Sequence, residues 1–210
     1  MNARESMIRA AASEMLADGY AGSSLASIAA RIDLTKGALA REFPTKDLLA
    51  HEVLAAMATA IQREHAIARA EYPDSPARRL VRFLVGFDDS VRREVEVAAA
   101  TSLLADRVLP AGMTLPPIDA WRAAVGEVVG EAHAAGDIPA NVGVAASAQF
   151  LSVANLGNAV LEARGDVDGA LERSRSILRL AMRAIELVDM ERVLADVLGE
   201  EPVGPDLAAA

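Results

Sequence analysis

The chain contains only two lysines, Lys36 and Lys46, ten residues apart, and its other nineteen basic residues are arginines. Each lysine follows a threonine, Thr35 and Thr45, and each Thr-Lys pair opens a segment that reads as helix. A threonine at a helix N-cap accepts from otherwise unpaired backbone N–H groups. An ammonium group beside such a helix start makes a site for an anion. Two of these starts flanking one short helix suit the two edges of a DNA groove. The plainer reading makes both threonines caps and leaves both lysines in water. One pair alone would favour that reading, whereas two pairs inside a helix-turn-helix pattern favour phosphate binding.

The surrounding sequence must position these groups. Residues 4–17 carry Met7, Ile8, Ala11, Ala12, Met15 and Leu16 on one helical face, and Gly19 ends the run as a C-cap. Ser23 or Ser24 caps a second helix, Leu25–Ile32, and Asp33-Leu34 makes a turn. Thr35 then caps a short third helix to about Glu42, with Leu39 and Phe43 as core anchors. Pro44 forbids smooth continuation, and Thr45 starts a long fourth helix to about Glu71. Two helices joined by a tight turn and backed by a first helix form a helix-turn-helix unit. Further helices are expected over residues 76–91, 94–109, from Pro116-Pro117 to about Gly136, 140–163, and in one stretch over 167–198. The fold class is therefore all-α, with a three-helix DNA-binding head over residues 1–50. A larger ligand-binding and dimerisation body covers residues 51–198, and a flexible tail residues 199–210.

Bulk properties bound the function. There is no cysteine, hence no disulfide framework and no thiolate metal site. The N-terminus carries charges throughout and lacks an apolar signal core, and no uninterrupted apolar run approaches the roughly 20 residues that span a bilayer. A cytoplasmic location without membrane contact is expected. Net charge is −9, which argues against indiscriminate nucleic-acid binding. The first 50 residues hold six basic and six acidic groups, and the rest hold fifteen and twenty-four, so the whole excess lies in the body. A neutral head permits a short, placed set of salt-sensitive contacts. The three histidines, His51, His65 and His133, form no i, i+3 or i, i+4 pair, and there is no Glu-x-x-His motif. With no glycine-rich phosphate loop and no nucleophile elbow either, neither an enzyme nor a cofactor is expected.

Taken together, Ala11-Ala12, Gly19-Tyr20, Ser24-Leu25, Ile28-Ala29, Lys36-Gly37-Ala38-Leu39, Phe43, Lys46 and Leu48-Leu49 resemble the tetracycline-repressor (TetR) family of bacterial transcription regulators. The resemblance covers Arg4 to about Val53. It implies a homodimer of all-helical subunits that bind operator DNA with the head and a small ligand with the body. On this resemblance Lys36 and Lys46 contact phosphates. Thr35 and Thr45 add hydroxyl or backbone contacts, Gly37 and Ala38 lie at the DNA face, and Arg41 reads guanine or grips backbone. The family usually has an aromatic residue where this chain has Ala40 and often histidine where it has Glu42. These two departures imply an unusual operator or weakened DNA binding.

The stretch GALxxxFPxKxxLA, Ser75-Pro76 and the lone Trp121 also resemble the γ-butyrolactone autoregulator receptors, in which a tryptophan forms a wall of the lactone pocket. That resemblance implies a small, mostly apolar, uncharged ligand. The candidate walls are Trp121, Phe83, Phe87, Leu103 and Phe150, and Gln62, Gln149, Ser152 and Asn155 are candidate hydrogen-bonding groups. Plain core packing competes for the apolar candidates, solvated helix positions for the two glutamines, and a polar pair at the dimer seam for Ser152 and Asn155. Cationic drugs remain an alternative ligand class, because the acidic body offers many carboxylates. For the dimer, Ala145, Ala148, Ala159 and Ala181 allow close helix approach. Leu171, Leu178, Met182 and Ile185 form an apolar stripe, either at the interface or in the subunit's own core.

Overall fold

A computed structural model describes residues 2–165 and 168–200. Among these, ten helices form and no strand does: α1 (Ala3–Gly22), α2 (Leu25–Ala30), α3 (Lys36–Glu42), α4 (Lys46–Glu71), α5 (Pro76–Arg93), α6 (Val95–Leu103), α7 (Ala111–Ala134), α8 (Val144–Ala163), α9 (Ala170–Ala184) and α10 (Met190–Leu198).

The head forms as its local chemistry dictates. Ser24 and Ser27 make a reciprocal capping box at the start of α2. The Thr35 hydroxyl accepts from the Ala38 amide at 3.1 Å, and that of Thr45 from the Leu48 amide at 3.3 Å. Gly19 takes a positive φ (+71°) at the expected break, but its ψ of 173° is extended and not that of a left-handed C-cap, and helical hydrogen bonding resumes beyond it to Gly22. Ile28, Ala29, Leu39, Phe43 and Leu49 close the head's core. α4 then runs unbroken from head to body, so the expected boundary after residue 50 falls inside one rigid element. It packs on α1 and α6, and further along on α5 and α7. The buried core is correspondingly continuous from Ala10 to Leu194.

The body departs from the sequence reading in three places. α6 stops at Leu103, leaving residues 104–110 as an irregular loop. α7 begins at Ala111, ahead of Pro116 and Pro117, which lie inside it. Past the first turn these prolines leave the Gly112 and Met113 carbonyls without helical donors, and their rings crowd those carbonyls. The expected single stretch over 167–198 is two helices, divided where Glu186 and Asp189 adopt positive φ.

α8 alone among the described helices is long and apolar enough to cross a membrane by length and composition. All its polar residues but Gln149 are turned inward instead: Ser147, Ser152, Asn155, Asn158 and Glu162 are buried. Of the expected tail, residues 201–210 lie outside the described residues. Glu200 is described and pairs with Arg175 and Arg179.

Candidate functional site: nucleic-acid face and body cleft

Four of the head's six basic side chains are engaged within the molecule. Arg4 pairs with Glu42 at 3.4 Å and Glu52 at 2.7 Å, and Arg9 pairs with Glu96 at 3.4 Å. Arg31 pairs with the buried Glu14, whose carboxyl it holds below the usual range by hydrogen bonding. Lys46 is the fourth, and its ammonium is drawn towards the end of α1. Its ammonium donates to the Tyr20 carbonyl at 2.6 Å and the Ser23 carbonyl at 2.9 Å, and lies 4.1 Å from the centroid of the Tyr20 ring. Those carbonyls end α1 with no helical partner; the cation donates to both, and the Ser23 hydroxyl also donates to the Tyr20 carbonyl at 2.9 Å. Lys46 therefore ties α4 to α1, and its ammonium is not turned out towards phosphate.

Lys36 and Arg41 make no ion pair among the described residues, and both are exposed on α3. Thr35, Gly37 and Thr45 are exposed beside them, and Ala38 is half-buried. A Cβ on Gly37 would approach nothing closer than the Thr35 hydroxyl, at 4.0 Å. The fold thus does not need a glycine there, whereas close approach of another molecule would. Glu42, which sequence reading set against DNA, is drawn towards Arg4. That cation also lies 5.3 Å from the centroid of the Phe43 ring.

In the body, a cleft of about 540 Å³ lies between α7, α8 and the loop after α6. Leu104, Ile118, Leu156 and Val160 form apolar walls, and Trp121 closes the inner end, itself covered from water. Gln149, Val153 and Arg122 are exposed and mark the mouth. The Trp121 indole N–H donates to the Ser152 carbonyl at 3.0 Å, and the Ser152 hydroxyl donates to the Ala148 carbonyl at 2.7 Å.

Of the residues proposed from sequence, Trp121, Gln149 and Ser152 meet at this cleft, and the others do not. Phe83 and Phe87 lie behind Trp121, with ring centroids 5.4 and 4.4 Å from it, as fully buried core. Leu103 is buried and its neighbour Leu104 takes the wall. Gln62 is exposed on α4, away from the cleft. Phe150 faces outward on α8 at 44% exposure. Asn155 turns the other way, donating to the Asp88 carboxylate at 3.1 Å.

The sequence reading missed Leu156 and Val160, although they continue the i, i+4, i+8 spacing from Ser152. It also missed Arg122, which follows Trp121 directly. No local signal marked Asp106, whose carboxylate accepts from the Tyr20 amide at 3.0 Å and the Val108 amide at 2.9 Å. This contact joins the loop that walls the cleft to the head. Tyr20 also hydrogen-bonds Asp47 at the start of α4. Burial, and then that bond, push its phenol up to about 12.

The supposed dimer stripe also divides. Leu178, Met182 and Ile185 are buried in the subunit's own core, as are Ala159 and Ala181. Leu171 is half exposed and lines a cavity with Leu178 between α9, α5 and α10. The outward large apolar residues of α8 are Phe150, Val153 and Leu161, at i, i+3 and i+11, and on α9 Leu180 is 64% exposed. Gly157 lies between them on α8, exposed.

Residues 7–53 match the family described as bacterial regulatory proteins, tetR family. No curated protein matches the sequence. Among solved structures, a γ-butyrolactone receptor (ArpA-like protein) is 22% identical with a TM-score of 0.76, covering 94% of this chain and 97% of its own. The TetR-family protein CprB from S. coelicolor A3(2) is 23% identical with a TM-score of 0.72, covering 93% and 94%. The regulator FadR from Bacillus subtilis, solved with stearoyl-CoA, is 15% identical with a TM-score of 0.67, covering 85% and 97%. Residues 7–53 are thus similar to the tetR family of bacterial regulatory proteins, and the chain as a whole shares the all-helical fold of these solved structures.

Proposed function

We propose that this chain is a dimeric, ligand-responsive transcriptional regulator of TetR type, acting by binding rather than catalysis and probing operator DNA with α3. One observation carries this reading: in a head whose other basic side chains are engaged by partners within the molecule, Lys36 and Arg41 stand without an ion pair on the recognition helix. The DNA contacts are Lys36 and Arg41, with the open backbone at Gly37-Ala38 and the capped helix starts at Thr35 and Thr45. The head over residues 1–50 serves DNA, and residues 51–198 serve ligand and dimer.

The outward apolar strip of Phe150, Leu161 and Leu180 supports a twofold seam between α8 and α9 of two subunits. Two heads so joined would read a near-palindromic operator. The ligand is small and mostly apolar and occupies the α7–α8 cleft. Likeness to a γ-butyrolactone receptor and the place of Trp121 favour a signal of that kind over a cationic drug, since no carboxylate lines the cleft. Fold alone does not choose the ligand, as the acyl-CoA-bound relative has the same fold.

Two paths lead from cleft to head. The loop carrying Leu104 and Ala105 continues into Asp106, which grips Tyr20. Trp121 stacks on Phe83, and the His65 ring of α4 meets Phe83 edge-on at 5.8 Å. A ligand that favours one setting of this loop and of α4 shifts the head spacing by population. A coupling of about 1–3 kcal/mol is typical of such switches.

The test is a gel shift against the DNA upstream of the protein's own gene, with size measured in parallel. A specific shift by a dimer, lost together with the dimer in Leu180→Glu, is expected. A well-folded protein that shifts no DNA, or a stable monomer that shifts it fully, defeats the reading.

A further inference from the structure

We infer that the α7–α8 cleft takes an apolar acid: a hydrocarbon-like body inserted towards Trp121, with a carboxylate held at the mouth by Arg122. This rests on the cleft being the ligand site proposed above, and it puts a carboxylate in place of the neutral lactone-like signal favoured there by likeness.

The inner polar groups have no donor left to offer. The Trp121 indole N–H is taken by the Ser152 carbonyl and the Ser152 hydroxyl proton by the Ala148 carbonyl. Around them stand Leu104, Ile118, Leu156 and Val160. A lactone or amide carbonyl pushed to this end would lose its water and gain no N–H or O–H in return. Burial without a partner disfavours that pose. An alkyl chain loses nothing there and gains burial.

The remaining donors are at the mouth. Gln149 and Arg122 are both exposed there, and Arg122 is the one charged residue of the lining. No ion pair engages Arg122 among the described residues. Elsewhere in the body Arg63, Arg69, Arg78, Arg82, Arg92 and Arg179 each hold a carboxylate. Arg107, Arg164, Arg183 and Arg192 also make no ion pair among the described residues, but none of them lines the cleft, so Arg122 is the cation placed to meet an acid there. Its planar fork matches a carboxylate with two parallel hydrogen bonds. A cationic ligand would meet only like charge at the same place.

Trp121 is the only tryptophan, so its fluorescence reports on the cleft directly. The full chain is titrated with decanoate, methyl decanoate and γ-decalactone, using wild type, Arg122→Gln and Arg122→Lys. Decanoate is expected to bind at least tenfold tighter than either neutral probe. Arg122→Gln is expected to abolish that preference while leaving the ester unchanged, and Arg122→Lys to retain most of it. The inference falls if the ester or lactone equals decanoate, or if Arg122→Gln leaves the acid-to-ester ratio intact. Lactone binding with a Trp121 response and no acid preference would sink the acid and keep the cleft. Silence from all three probes would sink both. Operator binding is read separately by gel shift, so the DNA reading stands or falls independently.

Discussion

The head and the body put their charged side chains to different uses. In the body, carboxylates go inward and join helices. Buried Glu64 on α4 accepts from Ser90 at 3.1 Å and pairs with Arg82 at 3.3 Å, both on α5. Buried Glu162 on α8 meets Arg92 of α5 at 3.1 Å and also Ser174 of α9. Asp88 on α5 is reached by Asn155 of α8. In the head the same kind of pairing stops short. Arg4, Arg9, Arg31 and Lys46 hold helices together, and Lys36 and Arg41, both on α3, are left over. Charges that are satisfied inside a fold serve its geometry, whereas charges left unpaired on one short helix point to a partner outside it. An acidic protein can therefore present a DNA-binding face without being basic overall.

The sharpest way to break this comparison is to exchange the fates of the two lysines. Lys36→Glu should lower operator affinity at least tenfold, because a phosphate contact becomes a repulsion. Lys36→Ala should make the log–log salt dependence shallower by about 1. Thermal stability should be unchanged in both. Lys46→Met should do the reverse, costing about 1–3 kcal/mol of stability by leaving the Tyr20 and Ser23 carbonyls without their charged donor. The folded mutant should still bind DNA. If Lys46→Met abolishes binding at full stability, Lys46 belongs with the contacts and the division proposed here is wrong.

A second change tests the body's buried carboxylates. Gly86 sits mid-helix in α5, where alanine should ordinarily gain up to about 1 kcal/mol. A Cβ there would overlap the Glu64 carboxylate and the Arg82 guanidinium and come within 3.1 Å of the Glu64 Cδ. Gly86→Ala should therefore destabilise by about 1 kcal/mol, read by urea unfolding. A stabilised variant would mean that Glu64 is not wedged between α4 and α5.

The smallest effect concerns pH. Burial first, and then repulsion from Glu162, push the Asp88 carboxyl well above the 3.8 of an ordinary aspartate, against the pull of Arg92 and Asn155. Above that value the unfolded chain has released a proton that the folded protein keeps. Stability therefore falls as pH rises, until the folded carboxyl also ionises. Asp88→Asn removes this penalty. Its melting temperature should exceed that of wild type at pH 7–8, and the gain should shrink towards pH 4. A constant difference across that range would show that Asp88 does not titrate in this way.

Much of the site was legible before any fold. The caps at Thr35 and Thr45, the Gly19 turn and the length of α4 follow from local rules that act over a few residues, whereas the place of Trp121 comes from the resemblance alone. Those rules do not say which way a long side chain turns. Lys36 and Lys46 share the same local sequence, Thr-Lys, and the same position at a helix start. Only the arrival of the end of α1, twenty-odd residues away in sequence, draws one ammonium inward. Phe83, Phe87 and Phe150 likewise read alike as apolar helix positions. Packing sends the first two behind Trp121 and the third to the outer surface.

The sequence by itself determined an all-helical chain with a helix-turn-helix head, because helix caps, breakers and apolar periodicity are encoded within single turns. The tertiary structure alone decided which cations stay unpaired, where the cleft opens, and that Asp106 would touch Tyr20. Those outcomes depend on contacts between residues far apart in the chain, which are fixed only when the helices pack.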